Sequence, residues 1–312
     1  MHQPSPRSDP PRRVVVRAPA TSANLGPGFD ALGLALDLWM EVQADVAEGI
    51  TTVHSDQGPP ERDSQNLIVR AAFAAFEAAG RPPVALSLRC INTIPMGRGL
   101  GSSAAAIAAG LRLGAALAGA RLGDDELLVL ANRLEGHPDN VAPALLGGIR
   151  VAVSDGDGVV STVQVHPPIH LMAVAFIPEV RIPTEDARAA LPHEVPFADA
   201  AFNIGRAALL VAALAAGDLR LLREATRDRM HQPYRATLFP AGPRLIKAAL
   251  RAGAAGAFTS GAGPTVLALC GPDTSTIDVT RALLASAEAD GLEGSARTLS
   301  LSERGAHVVH AA

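Results

Sequence analysis

Ten residues, Pro95-Met96-Gly97-Arg98-Gly99-Leu100-Gly101-Ser102-Ser103-Ala104, join two stretches of opposite periodicity. Ahead of them Val84 to Ile91 alternates apolar and polar side chains as a strand does, and behind them Ala104 to Ala118 has strong helix propensity. The glycines therefore sit at a strand-to-helix junction. The first amides of a helix lack intrahelical partners and lie at the positive end of its dipole, so such a junction is a site for phosphate. Glycine lets the backbone approach the anion closely. Spacing alone also allows a plain tight turn in which Ser102 or Ser103 caps the helix.

The familiar phosphate motifs each fail on a named residue. A Walker A loop ends in Gly-Lys-Ser/Thr, but Gly101 is followed by Ser102 and the loop holds no lysine. A dinucleotide fingerprint needs a third glycine where Ser102 stands. The catalytic His-Arg-Asp and Asp-Phe-Gly triplets of protein kinases do not occur.

A chain of 312 residues is expected to form two domains, at about 150 residues each. Apolar residues make up 48% and aromatics 3%, so the cores must be built mainly from alanine, valine and leucine. Residues 1–12 carry arginines and prolines without an apolar centre, which reads as a disordered lead-in and not a signal peptide. No apolar run approaches the roughly 20 residues of a membrane span. Cys90 and Cys270 lie in apolar, strand-like runs, as reduced core thiols of a cytoplasmic protein do. A net charge of −4 without a basic stripe argues against nucleic acid and leaves nucleotides open. The histidines show no metal spacing: His193-Glu194 is followed by Phe197 where a zincin places its second histidine.

Along the chain, Arg13 to Arg17 reads as a first strand, Pro19 to Asp30 as a loop and Leu32 to Asp45 as a second strand. Helices are expected over Asn66 to Ala79 and over Asp124 to Leu134, the latter capped by Asp124 or Asp125, with apolar structure from Val141 to Val153. The glycine- and aspartate-rich stretch from Asp155 to Pro168 is the best domain junction, giving domains 13–165 and 166–312. Beyond it come a buried strand at Leu171 to Ile177, helices over Ala200 to Ala216, Leu219 to Met230 and Leu245 to Ala252, and a glycine turn before Thr265 to Cys270. A helix near Ile277 to Ala289 and strands near Ala296 and His307 close the second domain. Strands and helices alternate without a strict βαβ rhythm, so the expected class is α+β.

Three segments then carry a resemblance. Pro19 to Asp30 (Pro-Ala-Thr-Ser-Ala-Asn-Leu-Gly-Pro-Gly-Phe-Asp), Gly99 to Ser103, and Ser260-Gly261-Ala262-Gly263-Pro264-Thr265 resemble, in order and spacing, the three motifs of the GHMP small-molecule kinases. With His137-Pro138-Asp139-Asn140-Val141-Ala142-Pro143, the first segment is similar to the homoserine kinase family within them, and the Arg-Val-Asn-Leu-Ile-Gly-Glu-His form of galactokinases is not found. The likeness runs from about Val14 to the C-terminus. It implies a two-domain architecture, an N-terminal domain like ribosomal protein S5 domain 2 and a ferredoxin-like C-terminal domain, with ATP and substrate in the cleft between them. It also implies ATP-dependent phosphorylation of the L-homoserine hydroxyl to O-phospho-L-homoserine, a step of threonine biosynthesis. A homodimer is the default for an enzyme of this size.

Residue by residue, the resemblance places the nucleotide phosphates on Pro95, Met96, Gly97, Arg98, Gly99, Leu100, Gly101, Ser102, Ser103, Ala104 and Ala105. Ser102 or Ser103 with Glu135 supply oxygen ligands for Mg²⁺. Asn66 falls in the adenosine pocket, and an N-cap explains it equally well. Asn24, Asp30 and Asp139 are candidates for the substrate ammonium, while Arg188, in the segment that begins at Thr184, and Arg235 suit its carboxylate. Asn140 stands where relatives of the mevalonate kinase type have an aspartate base. An amide takes no proton at neutral pH, so Asn140 is expected to orient the hydroxyl. Arg98 departs from the small residue usual before Gly99 and either touches a phosphate or points to solvent. The stretch from Glu135 to His137 is shorter than in many relatives. Two other readings stay open, a GHMP kinase acting on another alcohol and a catalytically silent sensor.

Overall fold

A computed structural model describes residues 10–56, 66–156 and 158–312; of the expected lead-in, residues 1–9 lie outside the described residues. Strand β1 (Arg13–Ala23) buries Val14 and Val16 on one face and exposes Arg13 and Arg17, then continues with both faces covered from Ala18 onward. That double burial removes the alternation by which a strand is recognised, which is why the sequence reading ended it at Arg17. β1 pairs antiparallel with β2 (Leu32–Val46). There follow β3 (Thr52–Ser55), helix α1 (Leu67–Ala78) and β4 (Leu86–Asn92). Asn66 caps α1, its Oδ1 accepting the amides of Ile68 and Val69 at 3.0 and 3.3 Å.

Three helices come next, α2 (Ser102–Leu117), α3 (Asp124–Glu135) and α4 (Pro138–Leu146). The cap of α3 is Gly123, whose amide donates to Glu126 Oε2 at 2.7 Å, and not Asp124 or Asp125. Pro138 begins α4, where its fixed φ suits the first helical position. The expected junction from Asp155 to Pro168 instead contains half of a hairpin, β5 (Ile149–Ser154) with β6 (Val160–Val165). Helices α1 and α2 pack through small residues: a Cβ on Gly114 would fall 2.3 Å from the carbonyl oxygen of Ala72.

The second sheet begins with β7 (Met172–Pro178), and then come α5 (Thr184–Ala189), α6 (Phe197–Ala216), α7 (Leu222–Ala225), α8 (Gln232–Arg235) and α9 (Gly242–Arg251). The single helix expected over Leu219 to Met230 is broken, because the Asp228 carboxylate accepts the amides of Met230, His231 and Gln232 and turns the chain into α8. α6 is the one helix among the described residues long and apolar enough to cross a bilayer by length and composition. Its Asp199 and Arg206 pair with Arg229 and Glu224 of the same unit. β8 (Gly256–Thr259), β9 (Val266–Cys270), α10 (Thr276–Ala289), β10 (Gly294–Ser300) and β11 (His307–Ala311) complete the chain.

β7 to β10 form an antiparallel sheet in the order β10-β7-β9-β8, the ferredoxin-like arrangement. The other sheet runs β11-β1-β2-β4-β3, with β5 also on β2 and β6 beyond it; only β3 and β4 are parallel. The class is α+β, as expected. β11, expected to close the second domain, instead pairs with β1 of the first sheet, so a single boundary at 165/166 does not separate the strands by sheet. β7 is buried on both faces: Ala173, Ala175 and Ile177 join the core of the first unit, Val174 and Phe176 that under α9 and α10.

The α1–α2 contact predicts opposite outcomes at two glycines. Gly114→Ala should destabilise the protein by about 1–3 kcal/mol, because the new methyl meets backbone. Gly205→Ala, on α6 with nothing within 4 Å of the new methyl, should stabilise it by up to about 1 kcal/mol. Urea unfolding midpoints check both.

Candidate active site

The junction is built as a bare helix N-terminus. Gly101 precedes α2 with φ 64°, and among the described residues no side chain caps the helix, so the alternative of a serine-capped turn is not what forms. A Cβ on Gly101 would lie 1.8 Å from Thr21 Oγ1, so only glycine fits there. The amides of Ser102, Ser103 and Ala104 are left without i−4 partners, whereas the Ala105 amide donates to Gly101 O at 2.9 Å and is unavailable to a ligand. The loop from Pro95 to Ser103, Arg98 excepted, faces a cavity of about 510 Å³. Ala104 and Ala105 are buried inside α2. The Arg98 guanidinium turns to Glu179, bonding its carbonyl at 3.0 Å and its carboxylate at 2.7 Å, so it neither lines the cavity nor points freely to solvent.

One flank of the cavity is an oxygen pair. Ser103 Oγ donates to Glu135 Oε1 at 2.6 Å, with Glu135 held at the end of α3, where Gly136 terminates the helix at φ 92°. Ser102 Oγ accepts from Asn92 Nδ2 at 3.5 Å and points to β4. The far end is largely apolar, with Met40, Val53 and Leu67; Asn66 borders it while capping α1. The N-cap reading of Asn66 is what forms, and the residue borders the cavity as well.

At the opposite end the charges crowd together. Arg188, on α5, meets Asp30 with both terminal nitrogens, at 3.1 and 2.8 Å. Asp139, 2% exposed in the first turn of α4, bonds His137 Nδ1 at 2.6 Å. Ligand atoms of Asp30, His137 and Asp139 lie within 4.8 Å of one another, which makes a pole for a cation. Next to Asp139, Asn140 Oδ1 accepts from Thr21 Oγ1 at 2.7 Å, which leaves the amide nitrogen to be presented to the cavity. Thr184 borders the same space. Asn24 borders the same space and is held at both ends of its carboxamide: its Oδ1 accepts the Asp30 amide and its Nδ2 donates to Gly261 O, so it positions Asp30.

Arg235 is 6% exposed, and its orientation is fixed by its neighbours. Nε donates to Ala187 O at 3.2 Å; Nη1 donates to Gly261 O at 3.0 Å and to His231 Nδ1 at 3.2 Å. Among the described residues Nη2 has no partner. Burial holds the His231 pKa below its ordinary value, so the ring is neutral. Its Nε2–H donates to Gly26 O at 2.7 Å, which leaves Nδ1 to accept from Arg235. Sequence reasoning missed three residues here: His137, His231 and Phe29, whose ring centre lies 5.6 Å from the Arg188 guanidinium and 5.4 Å from that of Arg235. Phe29 and His137 stood inside the quoted motifs, and their aromatic character was the available signal. His231 stood four residues before Arg235, one helical turn away.

Burial pushes the His137 pKa down, but the hydrogen bond to Asp139 and the charges of Asp139 and Glu135 outweigh it and hold the pKa above its ordinary value. The Asp139 charge is thus partly compensated.

A family model described as the GHMP kinases N terminal domain matches residues 66–148, and one described as GHMP kinases C terminal matches 210–288. A homoserine kinase of Moorella thermoacetica is 46% identical over 82% of this chain and 87% of its own length. One of Thermus thermophilus is 48% identical over 84% and 87%. The crystal structure of homoserine kinase from Cytophaga hutchinsonii superimposes with a TM-score of 0.87 at 30% identity, covering 99% of this chain and all of that one. A Streptococcus pneumoniae phosphomevalonate kinase, 16% identical, shares the fold with a TM-score of 0.72 over 91% of this chain and 99% of its own.

The His137–Asp139 pair should be visible by NMR. In the parent protein the imidazole should titrate above 6.5, and in Asp139→Asn, where burial remains without the charge, below 6.5. A raised folded-state pKa means stabilisation that is complete below pH 6.5 and lost as pH rises through the folded value, and Asp139→Asn should lack that loss.

Proposed function

The chain belongs to the GHMP kinases and, within them, to the homoserine kinase family, and from that premise we propose how its own residues carry out the reaction. The enzyme transfers the γ-phosphoryl group of ATP to the side-chain hydroxyl of L-homoserine, giving O-phospho-L-homoserine on the way to threonine. The observation that carries the substrate assignment is the pairing of opposite charges at the acceptor end. Asp30 and Asp139 suit an ammonium, and Arg188 and Arg235 a carboxylate, within a few ångströms of each other. Asp30 and Arg188 satisfy one another; an α-amino acid offers each a replacement partner, so the swap leaves no charge unpaired.

The nucleotide phosphates lie on the uncapped amides of α2. Ser103 Oγ and Glu135 Oε1, 2.6 Å apart, are hard oxygen donors of the kind Mg²⁺ takes, and they fit it with water completing its shell. When bound, Mg²⁺ neutralises charge on the phosphate oxygens. Asn140, held by Thr21, offers the hydroxyl an N–H and cannot accept its proton, so that proton passes to a phosphoryl oxygen or to water. Acceleration then rests on alignment and charge stabilisation rather than on a side-chain base. Cys90 and Cys270 take no part: burial pushes both thiols up to about 11, which suits inert thiols in the cytoplasm.

ADP release with Mg²⁺ across homoserine, mevalonate, shikimate, galactose and no acceptor tests the assignment. Turnover with homoserine alone is expected; turnover with another acceptor keeps the kinase and overturns the roles of Asp30 and Arg188, and none at all favours a sensor. Asp30→Asn should weaken homoserine binding by about 1.5–3 kcal/mol, seen as a raised KM. Asn140→Ala should lower kcat about tenfold or more while ATP affinity stays nearly unchanged; an unchanged kcat removes Asn140 from the mechanism.

A further inference from the structure

A second cavity, of about 390 Å³, lies behind the turn from Gly261 to Pro264, on the side away from the reacting centre. That volume is in the range that holds a small ligand. Its floor is apolar, from Phe239, Ile246 and Leu250, and its rim carries Arg223 and Arg227. Asp228 also borders it, but the Asp228 carboxylate is fully buried and its oxygens accept three backbone amides and Asn203 Nδ2. It is committed to shaping the chain and does not offset the arginines. Glu224, which does not line the cavity, is shared between Arg227 at 2.8 Å and Arg206 at 3.4 Å, and Arg223 bonds the Leu250 carbonyl at 3.5 Å. The cavity is therefore apolar at its base and positive at its mouth.

The two cavities share a wall. Ile182, Arg235, Ala262 and Gly263 line both. On the catalytic side of that wall the Gly261 carbonyl receives Asn24 Nδ2 and Arg235 Nη1, each at 3.0 Å, and Asn24 in turn holds the Asp30 amide. Whatever rests against Ala262 and Arg235 from behind bears directly on the groups that meet the acceptor.

We propose that this second cavity binds a small apolar molecule bearing one negative charge, and that its occupancy changes acceptor affinity through the turn at Gly261 to Pro264. The binding half is independent of the homoserine assignment; the coupling half rests on it.

1-Anilinonaphthalene-8-sulfonate matches the class, an apolar body with one anionic group, and reports its own binding by fluorescence, without turnover. With the full-length protein saturated with ADP, Mg²⁺ and homoserine, one probe per chain should still bind. Ile246→Trp, which fills the cavity, should weaken the probe about tenfold or more, and Arg223→Ala about threefold. Should Ile246→Trp fail to fold, Ala236→Phe fills the same space from the C-terminal end of α8. Homoserine should shift the probe's Kd about threefold, and the probe should shift homoserine affinity by the same factor, as linkage requires, with no shift in the filled variant. A probe fully displaced by ADP or homoserine, or bound equally well by the filled variants, overturns the site. Specific binding with no change in homoserine affinity, in an enzyme that does phosphorylate homoserine, overturns the coupling. If no acceptor is phosphorylated at all, the probe titration against Ile246→Trp still decides the binding half.

Discussion

Everything at the active site depends on a buried knot of hydrogen bonds around Ser260 and Gly261, in the turn between β8 and β9. The Gly261 amide donates to Ala23 O at 3.1 Å, its carbonyl accepts from Asn24 and Arg235, and Ser260 Oγ bonds Gly99 O at 2.6 Å and Ser22 Oγ at 2.8 Å. Thr21 donates its amide to Leu100 O, and Thr265 donates its amide to Arg98 O. Three segments far apart in sequence thus meet at one point, with Thr21, Ser22, Ser260 and Thr265 all at 0% exposure. A buried bond adds only about 1 kcal/mol net, but losing one partner strands the other at a cost of about 1–3 kcal/mol. The knot is held less by the strength of any bond than by the penalty of breaking one.

The electrostatics of the acceptor end follow from this fixed geometry. Asp30, Glu135 and Asp139 face Arg188, Arg235 and a His137 whose pKa is raised, so the protein's own charges are close to balanced there. A zwitterion keeps that balance, whereas a ligand carrying only a carboxylate leaves the acidic pole unmatched and partly desolvated. Both guanidinia lie over the Phe29 ring, at 5.6 and 5.4 Å from its centre, and its π-face is attractive to each cation. The neutral His231 does similar work from behind, accepting from Arg235 without adding a charge.

Much of this was legible in the chain because local rules and global fold agree there. The loop at 95–104, the helix after it and the strand before it declare themselves by glycine, alanine and alternation, and Asp30, Glu135, Asn140, Arg188 and Arg235 fall within recognisable motifs. What sequence hid was direction. Nothing local says that Arg98 turns to Glu179 while Arg235 turns inward, because that choice is made by a residue 81 positions away in one case and by a buried histidine in the other. Asn24 shows the same limit: nothing local says that its carboxamide bonds the Asp30 amide at one end and the Gly261 carbonyl at the other. The return of β11 to β1 is likewise invisible locally, since an edge strand exposed along almost its whole length carries a weak period-two signal.

How the pocket admits its substrates follows from β7. Its alternate side chains feed both cores, so the two sheets are joined by a continuous apolar interior and not by a linker. Rotating one unit against the other would expose that interior, at about 25 cal/mol per Å² of apolar surface. Domain hinging expects a small, polar interface, which is not what lies here. Adaptation is left to the short pieces around the rim. α5 is six residues long and mostly exposed, and it is tied to the rest by the Ile182 amide on Gly97 O, by Arg235 Nε on Ala187 O and by Arg188 on Asp30. An acceptor that took Asp30 for its ammonium would loosen the last of those ties and, by giving Arg188 a carboxylate, make a new one. The Asp30–Arg188 pair is therefore the contact that an ammonium carboxylate would exchange, and α5 is the element that carries its basic half.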